Sequence, residues 1–114
     1  MKSDQERGKL ASEILLVRDL RKRLFPSEIF DEHAWTMLLI LFVGFAKGEM
    51  VTEPHLIQQS GVNGSAGGRW ISHLIEEDQI KPRVPNETVA LTATAITQIR
   101  IFLDEAREVY NTGN

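Results

Sequence analysis

The chain has 114 residues, 42% of them hydrophobic and 25% charged, a balance typical of one soluble globular domain. It contains no cysteine, which excludes disulfides and thiolate metal sites. The most apolar run, residues 34–46, is too short to span a bilayer, and the charged N-terminus lacks the apolar segment of a signal peptide. We therefore expect a cytoplasmic protein that has no contact with a membrane.

The formal net charge of −3 counts mildly against a general nucleic-acid binder, but the charge is unevenly distributed. Residues 1–30 carry seven basic and five acidic side chains, whereas residues 49–92 carry three basic and six acidic ones. Four of the basic residues gather near the end of the first predicted helix: Arg18, Arg21, Lys22 and Arg23. They are explained either by a solvated helix end that suits the helix dipole or by a phosphate-contacting patch.

Two helices are predicted in the first half of the chain. Ser3 to Glu6 has the pattern of a capping box, and the apolar periodicity that follows predicts a helix over residues 4–24, ended by Pro26. Asp31 is placed to cap a second helix from Glu32 to about Lys47, with Gly48 as its stop. This second helix is apolar nearly all round, so we expect it to be the core helix, with its aromatic side chains used for packing.

A short helix, a tight turn and a longer helix are predicted next. Thr52 is placed to cap the short helix, and Gly61 stands where the turn needs a positive φ. Asn63 is placed to cap the longer helix, which we expect over about residues 64–77. The acidic run at the end of that helix, residues 76–78, is unfavourable for the helix dipole.

Two β-type runs and a last helix complete the chain. Residues 80–84 and 88–91 are predicted to pair as a hairpin over 80–91, with Pro85 to Glu87 as its turn. Thr92 is placed to cap a final helix over residues 93–110. The predicted fold class is mainly α with a small β-wing, that is, a winged helix-turn-helix with added N- and C-terminal helices. The whole chain, 1–114, forms one domain in this prediction, and residues 31–92 form its core.

Three runs of the sequence are similar to a known family. The run from Phe25 reads FP-x-x-x-F-x-x-x-A-W, the run from Arg69 reads R-W-I-x-x-L-x-x-x-x-x-I, and the run from Val89 reads V-x-L-T-x-x-A. In this order and spacing, over residues 24–95, the chain resembles small bacterial MarR-like winged helix regulators. The resemblance implies a homodimer joined mainly through its terminal helices, which binds a pseudo-palindromic DNA duplex and represses or activates transcription.

The resemblance also implies where DNA is contacted. The helix at about 64–77 is expected in the major groove and the hairpin 80–91 is expected to reach a minor groove as the wing. Arg69 is the best single candidate, because a guanidinium pairs two-pronged with a guanine edge or holds a phosphate. The full set of DNA-binding candidates is Thr52, Ser60, Asn63, Ser65, Gly68, Arg69, Ser72, His73, Lys81 and Arg83.

The chain departs from the family pattern at three places. Gly67 and Gly68 stand where larger helix formers are usual, and Ser72 and His73 stand where a second basic residue is usual, one turn after the arginine. Pro85 to Glu87 replace an acidic-glycine turn followed by arginines. Two glycines inside a helix cost about 1 kcal/mol each relative to alanine. They are explained either by close approach to DNA or to a partner backbone, or by a helix that no longer reads DNA.

Other chemistry finds little support in the sequence. The histidines His33, His55 and His73 lie on three separate helices without an i, i+4 partner, so we expect no metal site. No nucleophile arrangement and no phosphate loop is present, so we expect neither an enzyme nor a cofactor. The family resemblance allows a small-molecule effector, but the residues themselves give no support for one. The alternative function is a winged-helix module for protein–protein interaction, with weak or no DNA binding.

Overall fold

The computed structural model describes residues 3–25, 32–83 and 88–111 of the chain. Helices account for 78% of this part, together with one small antiparallel sheet of two strands, so the fold is mainly α. The elements in chain order are α1 (Asp4–Leu24), α2 (Glu32–Lys47), β1 (Val51–Thr52), α3 (Glu53–Ser60), α4 (Gly64–Glu76), β2 (Thr88–Val89) and α5 (Ala93–Asn111). None of the described helices is long and apolar enough to cross a membrane.

The chain folds into two compact units, each packed mainly within itself. The first unit contains α1 and the part of α5 from Gln98 onward, and the second contains the chain from α2 to Thr97. Three predicted features lie outside the described residues: the helix stop at Pro26, the helix cap at Asp31 and the hairpin turn at Pro85 to Glu87.

In the first unit, α1 begins as its capping serine predicts, because the Ser3 hydroxyl accepts a hydrogen bond from the Glu6 N–H at 3.1 Å. Phe25, directly after the helix, is buried and meets Phe102 of α5 edge to face, with ring centroids 6.5 Å apart. Only part of the predicted apolar surface of α1 is covered. Leu20 is buried, whereas Leu10, Ile14, Leu15 and Leu16 are each between 46% and 57% exposed.

In the second unit, α2 occupies the predicted range and ends at Gly48, whose φ of 72° is left-handed. Six of its residues are buried: Ala34, Trp35, Met37, Leu38, Leu41 and Gly44. The expectation that this helix belongs to the core is confirmed for residues 34–42, all of which are buried or half-buried, whereas Glu32 and His33 before them are exposed. Val43 and Phe45 are 53% and 46% exposed, and Phe45 contacts Phe42, its neighbour on the same helix, with ring centroids 5.8 Å apart.

The α3–turn–α4 segment forms as the sequence predicts, because each of its ends has a local cap. The Thr52 hydroxyl accepts from the His55 N–H at 3.3 Å, and Gly61 ends α3 with a φ of 81°. Asn63 caps α4 through its side-chain oxygen, which accepts from the Ala66 N–H at 2.9 Å. Leu56 of α3 and Leu74 of α4 are fully buried, so the two helices share the core of the second unit.

The acidic end of α4 is explained by a Schellman motif in which an aspartate takes the position usually held by glycine. Asp78 has a φ of 58° and donates its N–H to the Ile75 carbonyl at 3.1 Å. The next N–H, of Gln79, reaches back to the Leu74 carbonyl at 2.9 Å. Aspartate is one of the few residues with a side chain that adopts this left-handed conformation at modest cost, so the motif satisfies the last carbonyls of the helix.

The predicted hairpin over 80–91 is not a regular two-stranded ladder in its described part. Instead β2 pairs antiparallel with β1, and Val51 lies opposite Val89. The segment after α4 adds one bridge, from Ile80 to Leu91, and a hydrogen bond from the Lys81 N–H to the Ala90 carbonyl at 2.9 Å. No further bridge is described at residues 82–83, and Pro82 directly after the Lys81 donor confines this segment to an edge of the sheet, where a missing N–H is tolerated.

Candidate nucleic-acid interface

We define the outer face of α4 as Ser65, Gly68, Arg69, Ser72 and His73. Ser65, Arg69 and Ser72 follow one another at spacings of four and three, which places them in one row along the helix. Ser65 and Arg69 are exposed and Ser72 is half-buried. The opposite side of the helix is fixed in the core by Ile71 and Leu74, so the row cannot rotate away from solvent.

Arg69 carries a positive charge that is not engaged within the described parts of the chain. Its side chain is exposed, and among residues 3–25, 32–83 and 88–111 it makes no hydrogen bond or ion pair. A guanidinium carries five donors in a planar fork that matches a phosphate or a guanine edge. As far as residues 3–25, 32–83 and 88–111 are concerned, this fork is therefore available to an external acceptor.

The start of the outer face is organised by the α4 cap. The Asn63 side-chain oxygen accepts both from the Ala66 N–H at 2.9 Å and from the Ser65 hydroxyl at 3.1 Å. The Asn63 and Ser65 side chains are both exposed. The Asn63 amide N–H₂ remains as a donor directly before the first turn of the helix, so the cap that starts α4 also presents polar groups to solvent.

Arg83 is bound within the chain, in contrast to Arg69. Its Nε lies 3.1 Å from Glu53 Oε1, its Nη1 donates to the Ser72 hydroxyl at 2.9 Å, and its Nη2 donates to the Gly68 carbonyl at 3.0 Å. We call these four residues the Arg83 cluster. The cluster links the segment after α4 to α3 and lies across part of the outer face of α4.

The two glycines of α4 serve different purposes. A Cβ on Gly67 would lie 2.7 Å from both Cγ1 and Cγ2 of Ile57, so Gly67 allows α3 and α4 to pack closely. A Cβ on Gly68 would have no atom within 4 Å. The close approach that the sequence suggested toward DNA or a partner backbone is thus made inside the fold at Gly67, and only Gly68 retains that explanation.

The remaining predicted site residues are dispersed. Ser60 is buried, and its hydroxyl donates to the Ile57 carbonyl at 2.8 Å, which leaves it unavailable to a partner in this conformation. Thr52 is exposed while its hydroxyl caps α3, and Lys81 is exposed after the Ile80 bridge. His73 is half-buried and its ring meets Trp70 edge to face, with centroids 5.9 Å apart.

Glu53 is a site residue that the sequence patterns do not predict. It stands in the first turn of α3, where an acidic residue is ordinary because of the helix dipole, so the sequence offers no signal for another role. Its partner Arg83 lies thirty positions later in the chain. Only the folded arrangement brings the two together.

A cleft of about 550 Å³ lies next to the Glu53–Arg83 pair. Its other lining residues come from α3, from the start of α4 and from β2: Pro54, Ile57, Gln58, Gly64 and Thr88. The cleft gives an approaching molecule access to the pair. No cluster of three histidine, aspartate or glutamate side chains that could hold a metal ion occurs within residues 3–25, 32–83 and 88–111.

Comparison with known proteins gives no match. No family model matches the chain, and no curated protein and no solved structure is significantly similar to it.

Proposed function

We propose that this chain is a winged helix-turn-helix protein that binds double-stranded DNA as a homodimer and regulates transcription. In this proposal α4 is the recognition helix in the major groove, and the segment from Ile80 to Leu91 is the wing. The proposal is supported by the resemblance of three sequence runs to MarR-like regulators and by the capped α3–turn–α4 segment.

The observation that carries the proposal is the state of Arg69. An exposed arginine, unpaired within the described residues, stands in the middle of a row of small polar side chains on a helix that is held rigidly by its buried side. Ser65 and Ser72 on either side are short, so they let the helix backbone approach a groove while they offer hydroxyls to bases or phosphates. A recognition helix needs this combination.

Gly68 gives independent support. It lies inside α4 with a helical backbone, and the fold around it leaves room for a side chain. A glycine in such a position lowers stability by about 1 kcal/mol relative to alanine, and the described residues show no close packing that requires it. Close contact with an external surface, next to Arg69, accounts for it.

The homodimer is supported by the uncovered apolar surface of the first unit. Leu10, Ile14, Leu15 and Leu16 of α1 are each about half exposed, as are Ile101 and Tyr110 of α5 at 40% and 42%. Burying apolar surface is worth about 25 cal/mol per Å², and large exposed apolar side chains gathered on one unit suit a surface that a partner covers. In the proposal a second copy of the chain covers them.

The proposed function is tested by selecting duplexes from a randomised pool and then measuring affinity for a recovered sequence and for a scrambled one. We expect the wild-type protein to bind the recovered duplex more tightly than the scrambled one. Arg69→Ala should lower the affinity for the recovered duplex by about 5- to 100-fold and bring it closer to the affinity for the scrambled duplex. Arg107→Ala is the matched control, because Arg107 is also exposed but lies on α5. Failure to enrich any sequence, or equal losses in both variants, would refute sequence-selective binding.

A second candidate function is a winged-helix module that binds a protein partner. The observation that favours it is the acidic balance of residues 49–92, which carry six acidic and three basic side chains. An acidic surface is the reverse of the usual footprint of a nucleic-acid binder and suits a basic protein surface instead. This candidate predicts that duplex affinity stays negligible even at low salt.

A further inference from the structure

The Arg83 cluster lies on the surface that the proposed function assigns to DNA. All three guanidinium nitrogens of Arg83 have partners: the Glu53 carboxylate, the Ser72 hydroxyl and the Gly68 carbonyl. Two of these partners, Ser72 and Gly68, belong to the outer face of α4. Arg83 therefore covers part of the face that a groove would contact.

The three contacts differ in how easily they are exchanged. The bonds to Ser72 and Gly68 hold two edges of the guanidinium against α4, whereas the third is an ion pair with Glu53. The Arg83 side chain is 45% exposed and the Glu53 side chain is 24% exposed, so the pair lies in partly screened surroundings. Ion pairs of this exposure contribute little net stability, and another anion can compete for the arginine.

The competing anion on DNA is a phosphate. The Glu53 carboxylate accepts a single bond, from Arg83 Nε, and a phosphate oxygen accepts the same charge-assisted bond, so a phosphate can take the place of the carboxylate with little rearrangement of Arg83. The cleft beside the pair provides a route by which this phosphate reaches the arginine. The bonds to Ser72 and Gly68 then hold the fork in the same orientation.

We propose that Glu53 is a built-in competitor for a DNA phosphate, which occupies the Nε of Arg83 until a duplex displaces the carboxylate. This inference rests on the proposed DNA-binding function and adds a regulatory residue to it. Because each binding event must break the Glu53–Arg83 pair, affinity for any duplex is lowered. Only a duplex that also contacts Arg69 and the rest of the outer face offsets the free energy lost when the ion pair breaks. The pair therefore favours selective binding over non-specific binding.

The exchange has a distinct effect on salt dependence. A free cation that meets a phosphate releases about one counterion, which steepens the dependence of affinity on salt. The phosphate displaces the Glu53 carboxylate from Arg83, and the carboxylate, once exposed, attracts a cation in turn. We therefore expect the wild-type slope of log affinity against log salt to be shallower, by up to about one, than that of a variant without the Glu53 charge.

The test is a double-mutant cycle on duplex binding, measured by fluorescence anisotropy at several salt concentrations. The probe is the duplex recovered by selection or, if none is recovered, a fluorescein-labelled duplex of mixed sequence long enough for two half-sites. The variants are Glu53→Gln, Arg83→Gln and the double variant, with circular dichroism to verify that each is folded. Glu76→Gln is the control, because Glu76 is an exposed acidic residue at the other end of α4.

We expect Glu53→Gln to bind about 3- to 10-fold more tightly at low salt and with a steeper salt slope. We expect Arg83→Gln to bind more weakly, and the gain from Glu53→Gln to disappear when Arg83 is also replaced. An increase in duplex affinity caused by Glu76→Gln should persist when Glu76→Gln is combined with Arg83→Gln, because that increase reflects charge alone.

Three outcomes would overturn the inference, and they are distinguishable. If the wild-type protein binds the duplex and Glu53→Gln binds no more tightly, the competitor role is refuted while the proposed function stands. If the gain from Glu53→Gln persists without Arg83, it is a general charge effect and the exchange is refuted. If neither the wild-type protein nor Glu53→Gln binds any duplex, the proposed function fails and the inference fails with it.

Discussion

The packing of Gly67 against Ile57 makes a specific prediction about stability. Replacement of Gly67 by alanine would add a Cβ 2.7 Å from Cγ1 and Cγ2 of Ile57 and 3.1 Å from its Cβ. Carbon atoms in good contact lie about 3.5–4.0 Å apart. The added methyl would therefore overlap with the methylene and the methyl group on the Ile57 Cβ by about 1 Å, at a site where both helices are fixed in the core.

The expected cost follows from two opposing effects. Overpacking of a well-packed core costs about 1–3 kcal/mol, because α3 and α4 must separate or Ile57 must leave its rotamer. Alanine gains about 1 kcal/mol relative to glycine in a helix interior. We expect the net effect of Gly67→Ala to be a destabilisation of up to about 2 kcal/mol. Gly68→Ala, which meets no atom within 4 Å, should instead stabilise the protein by about 0.5–1 kcal/mol.

The measurement is the free energy of unfolding from urea titrations followed by circular dichroism. The matched pair Gly67→Ala and Gly68→Ala has the same chemical change one position apart, so the difference between them reports the contact with Ile57. Ile57→Ala should relieve part of the cost of Gly67→Ala in a double-mutant cycle, because it removes the two nearest atoms. Equal effects of the two glycine substitutions, or strict additivity in the cycle, would refute the packing argument.

Three further predictions concern the helix ends and the apolar face of α1. Asp78→Asn should stabilise the protein by about 0.5–1 kcal/mol in urea titration, because asparagine suits the φ of 58° and its neutral amide removes a carboxylate from the end of α4; an unchanged midpoint would contradict this. Asn63→Ala should cost about 1 kcal/mol by the loss of the bond to the Ala66 N–H, whereas Asn63→Asp should retain most of the stability because it keeps an acceptor there. Leu16→Glu should convert a dimer into a monomer in light scattering without unfolding it, since Leu16 is 56% exposed; a wild-type mass equal to the chain mass of 12.9 kDa would contradict the dimer itself.

Local sequence signals predicted most of the helices, because helix ends are set by interactions between residues three or four positions apart. Ser3, Thr52 and Asn63 each accept a hydrogen bond from the N–H three residues later. Gly48 and Gly61 have the positive φ that their positions require. In these cases the side chain and its partner lie within one helical turn, so the sequence contains the whole interaction.

Interactions between distant parts of the chain could not be predicted in the same way. The position of Arg83 suggested a wing residue free to meet DNA, whereas its guanidinium is bound to Glu53, thirty positions earlier. Gly67 gave no signal that it would face Ile57, because the angle between α3 and α4 depends on tertiary packing. The pairing of β2 with β1, in place of a regular hairpin with residues 80–84, likewise depends on contacts across the fold.

Two of the acidic residues within 49–92 have structural roles in the folded protein. Glu53 is paired with Arg83, and Asp78 stands at a helix end where its left-handed backbone is required. Arg69 makes no ion pair with these acidic groups anywhere in the described residues. The Glu53–Arg83 pair cancels one charge of each sign, so Arg69 and Lys81 are the basic side chains of this region that have no ion pair within the described residues.

The measurement that tests DNA binding most directly is the salt dependence of the affinity for a duplex. In the proposed dimer, Arg69 and Lys81 of both protomers supply about four cations, so log affinity should fall with log salt at a slope of about −3 to −5 between about 50 and 200 mM. Arg69→Ala should reduce that slope by about one for each protomer in contact. A slope near zero, or no binding to any duplex at low salt, would contradict the proposal that α4 reads DNA.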